Sequence, residues 1–96
     1  MAKLERLDSV LGWVYYSFEC PGCGFSHLIK TSGPHPVWDF NGDLEKPTFN
    51  PSLRVTYDTP TVHTVCHSYV RDGNIQFLGD STHSLAGQTV PLADIE

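Results

Sequence analysis

Three observations predict a small β-rich domain of antiparallel hairpins. Seven prolines and eight glycines in 96 residues interrupt the chain too often for long helices. Between the interruptions, apolar and polar residues alternate, the period of a half-buried strand. Asp72-Gly73, flanked by two such runs, is a favoured centre for a two-residue hairpin loop. The length suits one domain over residues 1–96.

Residues 10–19, aromatic and β-branched, read as a strand leading into Cys20-Pro21-Gly22-Cys23-Gly24, and residues 25–30 as the strand returning from that turn. Residues 31–36 hold a Ser-Gly-Pro-His-Pro break. Val37-Trp38-Asp39-Phe40-Asn41 alternates briefly and ends at Asn41-Gly42-Asp43, a turn signal. Pro47 and Pro51 make the next stretch an extended loop or a sheet edge. Leu53, Val55 and Tyr57 then alternate with Arg54 and Thr56 as a half-buried strand.

Residues 65–70 and 75–78 flank the Asp72-Gly73 turn. That register sets Val70 opposite Ile75, Ser68 opposite Phe77 and Cys66 opposite Gly79. Asp80 reads as the N-cap and Gly87 as the terminator of one short helix near residues 81–86. Residues 88–92 form a last extended segment.

The charge excludes one class of function. Eleven acidic against six basic residues give a net charge of −5, and the cations are scattered singly rather than gathered in a stripe. Phosphate contacts dominate nucleic-acid affinity, so this balance argues against a nucleic-acid partner. No apolar run reaches the roughly 20 residues that span a bilayer. The N-terminal Met-Ala-Lys-Leu-Glu-Arg lacks the apolar stretch of a signal peptide, and three cysteines cannot pair off completely. A reduced, cytoplasmic protein is therefore expected, in which clustered cysteines serve metal binding or catalysis.

Cys20 and Cys23 have the spacing of a metal-binding turn, and Cys66 with His67 completes a Cys3His set for one structural Zn²⁺. A redox dithiol would open a helix in a βαβ setting, which this chain lacks. The histidine is contested. His67 lies about 3.8 Å from Cys66 at Cα, yet strand neighbours point to opposite faces, so both bind only at an irregularity. His27 lies four residues past Cys23, about 13 Å away if that segment is fully extended. His83 lies just past Gly79, where a helical turn returns it to the site. His35 and His63, among prolines and polar residues, read as solvent-facing.

Five segments together resemble a family of small zinc-binding proteins encoded by phages and prophages. They are Cys20-Pro21-Gly22-Cys23-Gly24, Trp38-Asp39-Phe40-Asn41-Gly42-Asp43, Pro47-Thr48-Phe49-Asn50-Pro51-Ser52, Cys66-His67-Ser68-Tyr69-Val70-Arg71-Asp72-Gly73, and the run from Thr82-His83 to Val90-Pro91-Leu92. Members are often labelled ammonia monooxygenase. That label fits poorly, because such an enzyme is a membrane-bound, multisubunit copper system. The resemblance implies a zinc site and a phage setting, and no reaction.

Two functional classes follow. A closed Cys3His site has no open position for substrate, which points to a zinc-stabilised accessory protein binding a host or phage protein. Trp38, Asp39, Asn41, Asp43 and Phe49 are the candidate binding surface, although Trp38 and Phe49 read more readily as core. The alternative is a small metal-dependent hydrolase or nuclease, with His27 and His83 working beside Asp39, Asp43 or Asp80.

Overall fold

A computed structural model describes residues 2–95, which form two antiparallel sheets in chain order. The first comprises β1 (Glu5–Asp8), β2 (Val14–Glu19) and β3 (Ser26–Lys30). The second runs β4 (Asp39–Phe40), β5 (Phe49–Asp58), β6 (His63–Arg71), β7 (Asn74–Phe77) and β8 (Thr89–Pro91). Every pairing is between consecutive strands, as hairpin-forming turns dictate. The β-rich antiparallel class is the one expected. β1 had no sequence signal because all four of its residues are exposed, leaving no apolar alternation to read.

The turn chemistry set the β6–β7 register. Asp72 and Gly73 take φ of 50° and 80°, the left-handed region a two-residue hairpin loop needs. Val70 pairs with Ile75 and Ser68 with Phe77. The ladder stops there, so the expected Cys66–Gly79 pair does not form and Cys66 pairs with Val55 of β5.

One apolar cluster joins the sheets. Leu4, Phe18 and Ile29 meet Phe49, Leu53, Val70, Ile75, Phe77 and Leu92. Phe40 links them, stacked on Phe49 with ring centroids 4.7 Å apart and tilted against Tyr16 at 4.5 Å. Burying each such phenylalanine contributes about 2–3 kcal/mol, so Phe49, fully buried, is core rather than binding surface. Asn41 and Asp43 instead shape the loop after β4. Asn41 donates to the Lys46 carbonyl at 3.0 Å, and Asp43 accepts the Glu45 and Lys46 N–H groups at 2.9 and 3.1 Å. Trp38 is half-buried and Asp39 exposed on β4.

No helix forms among the described residues, so the one expected near residues 81–86 is absent. The reason lies in its hydroxyls. Because β7 ends at Phe77, the β6 edge beyond it is open, and Ser81 and Thr82 close it. Ser81 Oγ accepts the His67 N–H at 3.1 Å and donates to the His67 carbonyl at 3.0 Å. Thr82 bonds Val65 in the same manner, its N–H reaching the Val65 carbonyl at 2.9 Å. Ser and Thr offer the backbone such alternatives to a helix. Residues 83–88 then close in tight turns, with Ala86 N–H on the His83 carbonyl and Gln88 N–H on the Leu85 carbonyl.

Candidate functional site

Cys20, Cys23, His27 and Cys66 come together with their ligand atoms all within 4.8 Å of one another. Cys20 leaves β2 into a turn closed by Gly24 N–H on the Cys20 carbonyl and Cys20 N–H on the Phe25 carbonyl, each 3.0 Å. Gly24 makes the bend at φ 79°. The chain from Cys23 to His27 is therefore curled rather than extended, and His27 Nε2 reaches 3.5 Å from Cys23 Sγ. Cys66 arrives from β6, its sulfur 3.6 Å from that of Cys20.

The donor set fits a metal ion. Two thiols and the imidazole are packed away from water, with Cys20, Cys66 and His27 at most 3% exposed, and Cys23 is partly buried. His27 Nδ1 is buried without a partner. In the absence of a cation the thiols contend for one negative charge. The Cys66 thiol, donating to Cys20, holds Cys20 down to about 3, helped by His27 and the N–H groups of Cys23 and Gly22. The Cys66 thiol is pushed up by that same bond and by burial, and Cys23 by burial. A cation at the centre lets all three ionise together. Three sulfurs and one nitrogen suit a thiophilic, tetrahedral ion.

His67, placed with the ligands from its sequence position, points elsewhere. β6 is regular at this point, so consecutive side chains leave on opposite faces and Cys66 alone turns to the sulfur cluster. His83 does approach, with Nε2 3.6 Å from Cys66 Sγ. Its Nδ1, however, accepts the Leu85 N–H at 3.2 Å, which puts the ring proton on Nε2. His83 is thus built to donate to the Cys66 sulfur, outside the ligand set.

A second cluster forms on the outer face of β5 and β6. Ser52 Oγ lies 3.1 Å from His67 Nε2, and Asp80 Oδ2 lies 3.1 Å from His67 Nδ1. Ser52 stands in an irregularity of β5: four steps from Phe49 to Leu53 oppose two from Val70 to Ser68. Such bulges re-aim side chains. Arg54 is the cross-strand partner of His67, so Ser52, two residues earlier on the same face, is its diagonal neighbour. Asp80 is held across from His67 by the Ser81 clamp and by Leu78 N–H on the His67 carbonyl at 2.8 Å. The indole N–H of Trp38 fixes the other side, donating to the Ser52 carbonyl at 3.3 Å. A hydroxyl on one ring nitrogen and a carboxylate on the other is the arrangement of an activated serine nucleophile.

Residues 5–78 match the family model for BubE, described as a bacterial ubiquitination-like system serine protease. The chain belongs to the BubE family. No curated protein and no solved structure matches it. The BubE match includes Ser52, His67 and all four cluster residues, and ends two positions before Asp80. The description names neither phages nor ammonia oxidation.

Sequence reasoning placed the BubE chain's histidines and acids in different partnerships. His27 and His83 lie against thiols rather than carboxylates. Asp39 and Asp43 lie on β4 and in the loop that follows it. Asp80, read as a helix cap, is the carboxylate that meets His67, and His63 pairs with Asp58 in an exposed contact elsewhere. Ser52 was missed altogether. Strand alternation at Cys66-His67 was the available signal, since it frees His67 from the metal and leaves it seeking a nucleophile. No helix among the described residues is long and apolar enough to cross a membrane.

Proposed function

We propose that this protein is a serine peptidase of a bacterial ubiquitination-like system, cutting the polypeptide bond after the tail of a ubiquitin-like protein, and that its cysteine cluster holds one structural Zn²⁺. The observation that carries the reading is the His67 ring, with Ser52 on Nε2 and Asp80 on Nδ1. In this reading, Ser52 Oγ attacks the substrate carbonyl and its proton passes to His67 Nε2. Asp80 keeps the Nδ1 proton in place and stabilises the imidazolium. His67 then returns the proton to the leaving amine as the C–N bond breaks, and water cleaves the acyl-serine ester by the reverse sequence.

The Zn²⁺ would sit among Cys20, Cys23, His27 and Cys66, a closed set that holds the Cys20–Cys23 turn against β6. The protein partner expected from size and charge becomes the substrate, and the phage or host setting only changes whose ubiquitin-like protein is cut.

The test is covalent labelling. A fluorophosphonate should modify Ser52 stoichiometrically, and Ser52→Ala or His67→Ala should abolish the label in protein that still melts cooperatively. A folded, metal-loaded wild type that takes no label overturns the assignment.

A further inference from the structure

The strand that bears Ser52 has an unused edge. β5 runs from Phe49 to Asp58, but β4 pairs only with Phe49 and Asn50. From Ser52 to Asp58 no strand lies on that side among the described residues. The direction of the backbone groups there follows from β6. His67 gives its N–H to Ser81 and takes Leu78 N–H on its carbonyl, while Val65 exchanges bonds with Thr82. Both residues therefore bond away from β5. Their cross-strand partners, Arg54 and Thr56, form non-hydrogen-bonded pairs with them, so the N–H and C=O groups of Arg54 and Thr56 point outward. Both residues are exposed. An edge of unpaired donors and acceptors is a template for another extended chain.

We propose that the substrate binds as an added antiparallel strand on this edge, so that the enzyme reads the extended segment on the acyl side of the bond it cuts. Direction decides the side. β5 leads away from Ser52 through Arg54 to Thr56. An antiparallel chain passes Thr56 first, then Arg54, and brings its carbonyl to Ser52, placing the residues before the scissile bond on the edge. A parallel chain would instead place the leaving-group residues there, with slightly weaker pairing per residue. The required substrate is thus a flexible tail that extends without unfolding its domain, and two of its residues, two apart, exchange backbone bonds with Arg54 and Thr56. Recognition is by main chain, so it tolerates small side chains, glycine included. The inference rests on Ser52 as the nucleophile.

The test is a methyl scan. Hexapeptide aminocoumarin amides, with the sequence of the ubiquitin-like protein's last six residues, are N-methylated one amide at a time and assayed with the metal-loaded protein. Methylation at alternate acyl-side amides should lower kcat/KM roughly 3- to 10-fold each, the value of one lost hydrogen bond, with the intervening positions little affected. Thr56→Pro removes an outward N–H without touching the β6 ladder, and should lower peptide kcat/KM by a similar factor while fluorophosphonate labelling of Ser52 stays at the wild-type rate. A flat methyl scan on unmodified enzyme, from a preparation whose separate aliquot takes the fluorophosphonate label, overturns strand addition and leaves the serine assignment standing. An alternating pattern confined to leaving-group residues, in longer peptides, overturns the acyl-side direction. Absence of labelling overturns both.

Discussion

Cys66 and His67 are consecutive on β6 and face opposite ways: the Cys66 sulfur enters the buried Cys3His cluster, and the His67 ring lies between Ser52 and Asp80. One peptide unit therefore joins the candidate metal centre to the proposed catalytic face. A shift of β6 by a single residue would exchange their faces and destroy both sites. A metal held by the cluster would act on the proposed catalysis through register rather than contact.

That relationship makes the coupling one-directional. Cys23→Ser, or metal removal by a chelator, should abolish both cooperative melting and Ser52 labelling, because a small core depends on its metal clasp. Ser52→Ala should abolish labelling and leave the melting midpoint unchanged. Thermal melting with metal content measured alongside separates the two. A Cys23→Ser protein that melts cooperatively at the wild-type midpoint would show that the cluster is not structural.

Asp80→Asn tests the orienting carboxylate. The amide can fill the same space but cannot stabilise the imidazolium, and it favours the wrong ring tautomer. The expected loss in kcat is on the order of 1,000- to 10,000-fold, with little change in stability because Asp80 is half-exposed. A loss under about tenfold would mean that His67 is positioned by its backbone clamp alone.

How far the sequence reached depended on whether a local rule was sufficient. Asp72-Gly73 fixes its own backbone, so the β6–β7 register was legible to the residue pair. The Cys20–Cys23 turn was legible for the same reason. His27 stayed one of three candidate ligands because its distance turns on whether the chain after Cys23 is extended, and Gly24 curls it. Ser52 and Asp80 are brought to His67 by a bulge and by an edge strap, both set by which neighbouring groups are left unpaired. No local pattern in Pro51-Ser52 or Gly79-Asp80 encodes that. The tertiary competition for the β6 edge also turned a helix-like Asp80-Ser81-Thr82 start into a strap.

Ser81→Ala examines the strap. The Ser81 hydroxyl satisfies both the N–H and the carbonyl of His67, and it is 7% exposed, so water replaces it poorly. Losing both bonds should cost about 1–2 kcal/mol. For a chain of this size that lowers the melting midpoint by roughly 4–16 °C. Ser52 labelling should slow at temperatures where the protein is still folded, because Asp80 is the next residue. An unchanged labelling rate would remove Ser81 from the positioning of the site.

The two histidines beside the thiols should separate cleanly. His27→Gln removes a ligand and should lower the bound metal below one ion per chain. His83→Gln should keep the full complement, since the His83 Nδ1 bond to Leu85 holds its proton on Nε2, where it faces the Cys66 sulfur as a donor. Gly22→Ala approaches the same ring from the other side. A Cβ there would lie 2.4 Å from His83 Cε1 and 2.8 Å from Phe77 Cζ, and Phe77 is core. The ring has no room to retreat, being packed edge-on against Phe77 at 4.4 Å. Overpacking of this kind costs about 1–3 kcal/mol, and in Gly22→Ala combined with His83→Ala it should be relieved only in part, because the Phe77 contact remains. Metal content by elemental analysis and melting of the four variants check the scheme. Metal loss in His83→Gln with retention in His27→Gln would exchange their roles.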